Sequence, residues 1–96
     1  MVAPRKTMPF VLGRLLSTPA ALDAVSAAGQ HPLDFLARHA SCDWGEVSAG
    51  DSDLNDQATL DGSRILSAYR TSKGVRLWVV TERDRSATTL LLPSEY

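Results

Sequence analysis

The chain has 96 residues, 44% of them apolar and 22% charged, with a formal net charge of −1. That length suits one domain over residues 1–96, since domains commonly run to roughly 100–150 residues. The composition excludes a disordered tail, a coiled coil and a uniformly basic nucleic-acid coat, and no apolar run approaches the roughly 18 residues of a membrane span.

A single cysteine, Cys42, cannot form a disulfide within the chain, which fits a reducing, cytoplasmic setting. Residues 1–9 hold Pro4, Arg5, Lys6 and Pro9 and no apolar stretch of signal-peptide length, so they are expected to be a loose lead-in. The near-neutral total conceals polarity along the chain. Residues 1–42 carry +2 and residues 64–96 carry +3. Between them Asp43, Glu46, Asp51, Asp53, Asp56 and Asp61 stand without any basic residue, giving −6 over residues 43–61.

In chain order, Phe10–Leu16 is a short apolar run that suits a strand. A helix follows, with Ser17 or Thr18 as cap, Pro19 in the first turn and Gly29 as the stop. Leu22, Val25 and Ala28 are its expected apolar stripe. Pro32 opens a second helix with Leu33, Leu36 and Ala40 on one face and Phe35 on its flank, and the short connection makes a helical hairpin. Asp51–Asp61 reads as a third, short helix capped by Asp51, with Leu54, Ala58 and Leu60 as its apolar residues and Gly62 ending it. Arg64–Thr71 alternates as a strand, with Ile65, Ser67 and Tyr69 on one face. The turn Thr71–Gly74, a second strand over Val75–Arg83, the turn Asp84–Ser86 and a third strand over Ala87–Leu92 complete an antiparallel meander of three or four strands, ended by Pro93. Helices followed by strands make an α+β fold.

Three groups of residues could carry chemistry. The segment Arg38–Gly45 gathers His39, Cys42, Asp43 and Trp44. A histidine titrating near neutrality suits general acid–base work, with Asp43 to orient it, while the bland alternative is a helix-end histidine beside a core tryptophan. Zinc is not expected, because only His31 could join His39 and Cys42. Asp51–Gly62 begins like a calcium loop, but Asp56 stands where glycine is needed and Gly62 where glutamate is needed. It reads as a solvated acidic helix, whose exposed Asp51, Asp53 and Asp56 would suit a basic partner. No metal and no cofactor is implied. Finally, Arg64, Ser67, Thr81, Arg83, Arg85, Thr88 and Thr89 crowd the strands, where arginines and hydroxyls could hold a phosphate, although an outward polar set is ordinary for such a sheet.

The stretches Arg38–Gly45, Asp61–Tyr69 and Trp78–Tyr96 resemble a family of small bacterial proteins of plasmids and integrative elements. The resemblance implies an accessory role for mobile elements, exerted by binding a protein or a nucleic acid, with anti-defence activity as one form. The order of elements is also similar to that of small ribonuclease toxins. That likeness implies metal-independent RNA cleavage with His39 as general acid or base, Arg64 and Arg85 on the phosphate, and Ser67, Thr81 and Thr88 beside them. For the binding role, Asp43, Trp44, Asp51, Asp53, Asp56, Arg83 and Arg85 are the expected contacts. A C-terminal strand at a free sheet edge could also pair with a second copy as a homodimer.

Overall fold

The computed structural model describes residues 10–96, and the expected lead-in over 1–9 lies outside them. The elements are β1 (Arg14–Ser17), α1 (Pro19–Ala27), α2 (Pro32–Ala40), α3 (Ala49–Asp61), β2 (Ile65–Arg70), β3 (Arg76–Thr81) and β4 (Ala87–Leu91), then a 3₁₀ turn over Pro93–Glu95. This is the expected α+β arrangement. β2, β3 and β4 form an antiparallel meander. The sheet order is β1-β4-β3-β2, and β1 lies parallel to β4, so the sheet is mixed. Only the end of the early apolar run becomes strand. A parallel pairing with the far end of the chain has no connecting turn to announce it. Because β1 covers β4, the C-terminal strand is internal and offers no edge to a second copy.

The helices start where local chemistry satisfies their first amides. Thr18 accepts from the Ala21 N–H at 3.2 Å, ahead of Pro19 at the first helical position. His31 caps α2, its Nδ1 accepting from the Leu33 N–H at 3.1 Å, while Asp34 accepts the His31 N–H at 3.0 Å. The cap of α3 is Ser48 rather than Asp51: the serine hydroxyl accepts from the Asp51 N–H at 3.1 Å. Gly62, at φ 81°, closes that helix.

The buried stripes differ from expectation. α1 buries Ala21 and Val25, and α2 buries Phe35, Leu36 and His39. Leu22 and Leu33 are exposed. The sheet sets the inward direction: these side chains form one cluster with Tyr69, Leu77, Val79 and Leu90. Phe10, Trp44, Ala58 and Ile65 form a second cluster beside it. On α3, Leu54 and Leu60 are exposed and Asn55 is buried.

Asn55 is inside because it closes the outer edge of β2. Its side-chain amide donates to the Leu66 carbonyl at 2.8 Å and its oxygen accepts the Leu66 N–H at 3.2 Å. One step along, Ala68 donates to the Trp44 carbonyl at 3.0 Å and accepts from the Glu46 N–H at 2.6 Å. Gly45 sits between at φ 72°, where a Cβ would overlap the Ala68 carbonyl. A glycine is required there.

Strand alternation sends Leu66, Ala68, Arg70, Arg76, Trp78, Val80, Thr89 and Leu91 to the opposite sheet face. The helices bury their side chains against the first face and the β2 edge. The helices therefore leave the second face open, with the C-terminal turn packed on it through Tyr96 against Trp78.

Candidate functional site

Four of the sequence-predicted residues converge, but under the helices. His39 is fully buried. Its Nδ1 lies 2.5 Å from the Ser67 hydroxyl and its Nε2 lies 2.8 Å from the Thr81 hydroxyl. Thr81 is 2.7 Å from Thr88, which donates to the Leu12 carbonyl at 2.7 Å. The carbonyl can only accept, so it fixes the direction of the whole chain. Thr88 spends its proton on Leu12, Thr81 donates to Thr88, and His39 donates from Nε2 to Thr81. Nδ1 is then left to accept from Ser67. This is a neutral imidazole with both nitrogens satisfied. Burial first, and then the positive charge of Arg85, push its pKa from 6.5 down to about 4. Phe10 and Trp44 stand edge-on to the ring at centroid distances of 5.5 and 5.7 Å. An outward polar set is ordinary for such a sheet, but strand alternation turns Ser67, Thr81 and Thr88 inward, where they satisfy both nitrogens of the buried imidazole.

The arginines do not join this group. Arg85 donates to the carbonyls of Ser63, Glu82 and Ala58 at 2.7, 3.0 and 2.8 Å. Its guanidinium is committed to backbone and ties the end of α3 to the β3–β4 turn, instead of waiting for a phosphate. Arg64 is exposed and bonds the Tyr96 hydroxyl. Arg83 is exposed in the β3–β4 turn, lining a wide, shallow cleft with Glu82, Asp84 and Ser86.

The acidic candidates divide. Asp43 accepts from Arg38 at 2.7 Å and from the Gly45 N–H at 3.2 Å. The guanidinium beside it holds its carboxyl below the usual range. Its backbone carbonyl accepts the Tyr69 hydroxyl at 2.6 Å, and burial pushes that phenol up to about 12. Asp56 accepts the indole N–H of Trp44 at 2.9 Å. Asp43, Trp44 and Asp56 therefore hold the 43–46 segment against α3 and β2. Asp51 and Asp53 are exposed, and Asp51 faces Arg64 across a cleft of about 260 Å³ lined by Val47, Leu54, Asn55 and Leu66. Of the possible zinc ligands, His31 is spent as a helix cap and His39 on hydroxyls.

The open face carries residues that the strand reading passed over. Arg70 and Arg76 are cross-strand partners, and Trp78 stands opposite Ala68 and Leu91. Glu46 holds Arg70 at 2.9 Å. Tyr96 packs edge-on to Trp78 at 5.8 Å, with the Arg64 guanidinium 5.1 Å from the tyrosine ring centre. Arg14 lies at the β1 side, opposite Ala87. The signal was available: Arg70 and Arg76 directly flank the five residues Thr71–Val75, and Trp78 is two residues further along the same face. Among the described residues no helix is long and apolar enough to cross a membrane. Comparison with protein families, with curated proteins and with solved structures returns no match.

Proposed function

We propose that the chain is a binding protein rather than an enzyme, with the open face of its sheet as the working surface. The form of binding we propose is an accessory role for mobile elements, with a protein or nucleic acid as partner. One observation carries the reading. The side chains best suited to catalysis, His39 with Ser67, Thr81 and Thr88, are each fully buried and hydrogen-bonded to one another. A general base must reach the proton it takes. Here it would reach only the protein's own hydroxyls.

The ribonuclease alternative draws on that same convergence, and it requires the helix layer to open. Incubation with total RNA tests the two readings. No cleavage is expected from the purified chain. Cleavage that His39→Gln abolishes without unfolding the protein would overturn the binding reading. Affinity capture from the native host, with wild-type bait and with bait carrying Arg64→Glu and Arg76→Glu, tests the surface. Partners held equally by both baits would exclude the open face.

A further inference from the structure

The open face combines exposed guanidinium groups with aromatic ring surface. Arg70 and Arg76 sit side by side at one end, where the β2 and β3 strands pair them. Arg64 lies toward the other end of β2, and Arg14 on β1. From Arg64 to Arg70 is six residues of nearly extended chain, about 20 Å at the usual rise per residue. Between these ends stand Trp78, half-buried, and Tyr96, 54% exposed. Among the described residues, Arg70 of these four has a carboxylate partner, Glu46, in a pair itself half in water, and Arg64 holds the Tyr96 hydroxyl.

The centre of the face argues against a protein partner. Val80, Leu91 and Ala68 are only 1%, 6% and 7% exposed, already shielded by their neighbours. A protein interface gains most from burying apolar anchors in its centre, and little apolar area remains here to bury. What remains in water at the centre is arginine heads and two rings, while Leu16, 40% exposed, lies out on the edge strand β1. Guanidinium groups bind phosphates, and aromatic rings accept unpaired bases on their faces. Apart from Thr89, β1 to β4 turn no hydroxyl to this face that would read a ribose.

Resting on the binding role proposed above, we infer that the open face takes single-stranded nucleic acid, with bases on Trp78 and Tyr96 and phosphates on Arg14, Arg64, Arg70 and Arg76, without regard to the sugar. The acidic helix α3 borders this surface through the cleft between Asp51 and Arg64. It limits the footprint on that side by repelling phosphate.

The test uses the full chain and labelled oligonucleotides of about 10 residues, within the range that small sheet folds bind. DNA and RNA of one sequence are expected to bind within about threefold of each other, and a duplex about tenfold more weakly. The logarithm of affinity should fall with the logarithm of salt at a slope of about −3, from four phosphate contacts on a single strand. Arg76→Ala should reduce that slope by about 0.7, whereas Arg38→Ala, on α2 in the helix layer behind the sheet, should leave it unchanged. Of the two tryptophans, Trp44 is buried, so quenching of indole fluorescence on binding reports Trp78. Trp78→Phe should keep the fold and much of the affinity but lose the quenching. Absence of binding at low salt, preference for the duplex, or quenching that persists in Trp78→Phe would overturn the inference. The capture experiment keeps the two proposals apart. If oligonucleotides fail and a captured protein still depends on Arg64 and Arg76, the nucleic-acid inference falls and the open-face reading stands. If neither oligonucleotides nor captured partners depend on those arginines, both fall.

Discussion

The Nε2 atom of His39 stands 2.8 Å from Oγ1 of Thr81, midway along a hydroxyl chain that crosses the inner face of the sheet. A histidine in the core is tolerable only while it is neutral and both nitrogens have partners. Thr81 supplies one of those partners and passes the proton chain on to Thr88.

Thr81→Val is therefore expected to destabilise the fold despite conserving shape. It leaves the imidazole N–H without an acceptor and Thr88 without its donor, at a cost of about 2 kcal/mol. His39→Ala should cost about 3–5 kcal/mol, since a cavity is added to the stranded hydroxyls. Urea denaturation at pH 7 measures both. A Thr81→Val midpoint equal to wild type would show that the chain contributes nothing to stability.

The same residue makes stability depend on pH. The folded pKa of about 4 lies below the ordinary 6.5. Between those values the unfolded chain binds the extra proton, so stability rises with pH. The contribution is complete above pH 6.5, declines as pH falls, and is gone below pH 4. The loss amounts to about 3 kcal/mol at roughly 1.4 kcal/mol per pKa unit. Urea midpoints from pH 7 to pH 4 should show it, and His39→Gln should flatten the slope across that window. Equal slopes would rule out His39 as the titrating group.

Two acids on one helix should behave differently. Asp56→Ala removes the acceptor of the Trp44 indole and is expected to cost about 1 kcal/mol. Asp53→Ala, at an exposed position, should stay within about 0.5 kcal/mol of wild type. Thermal melts of the two variants decide this.

Gly45→Ala places a methyl group against the Ala68 carbonyl at a φ of 72°. It should cost more than about 2 kcal/mol, from strain and from parting of the bridge to β2. Gly74→Ala, at φ 83° with open space around it, should cost only about 1 kcal/mol. Comparing the two separates close approach from backbone conformation.

Much of the fold was legible because its signals are local. Pro19 behind Thr18, Gly74 in its turn, and the valine-rich run of β3 each act over a few residues. What escaped was set by partners far along the chain. Parallel β1 has no turn that points to β4. The inward face of α2 is not legible locally, because a histidine counts as polar and only Ser67 and Thr81, far along the chain, make its burial possible. Asn55 looked like part of a solvated helix, yet it serves as a surrogate strand for Leu66. The candidate site was legible in composition but not in side: His39, Ser67, Thr81 and Thr88 do meet, in the interior, whereas the exposed arginines and rings share a face that becomes visible only with the register of β2 against β3.

Arg85 bonds carbonyls from α3, from the segment after it and from the β3–β4 turn. Secreted domains of this size commonly join such segments with disulfides. Here the join is a charged side chain that no reductant can open and no oxidant is needed to close. This join is therefore independent of the redox poise of its surroundings. What it requires instead is that Arg85 hold a left-handed backbone at φ 60°, a conformation that glycine would adopt more readily but without the guanidinium to make the join.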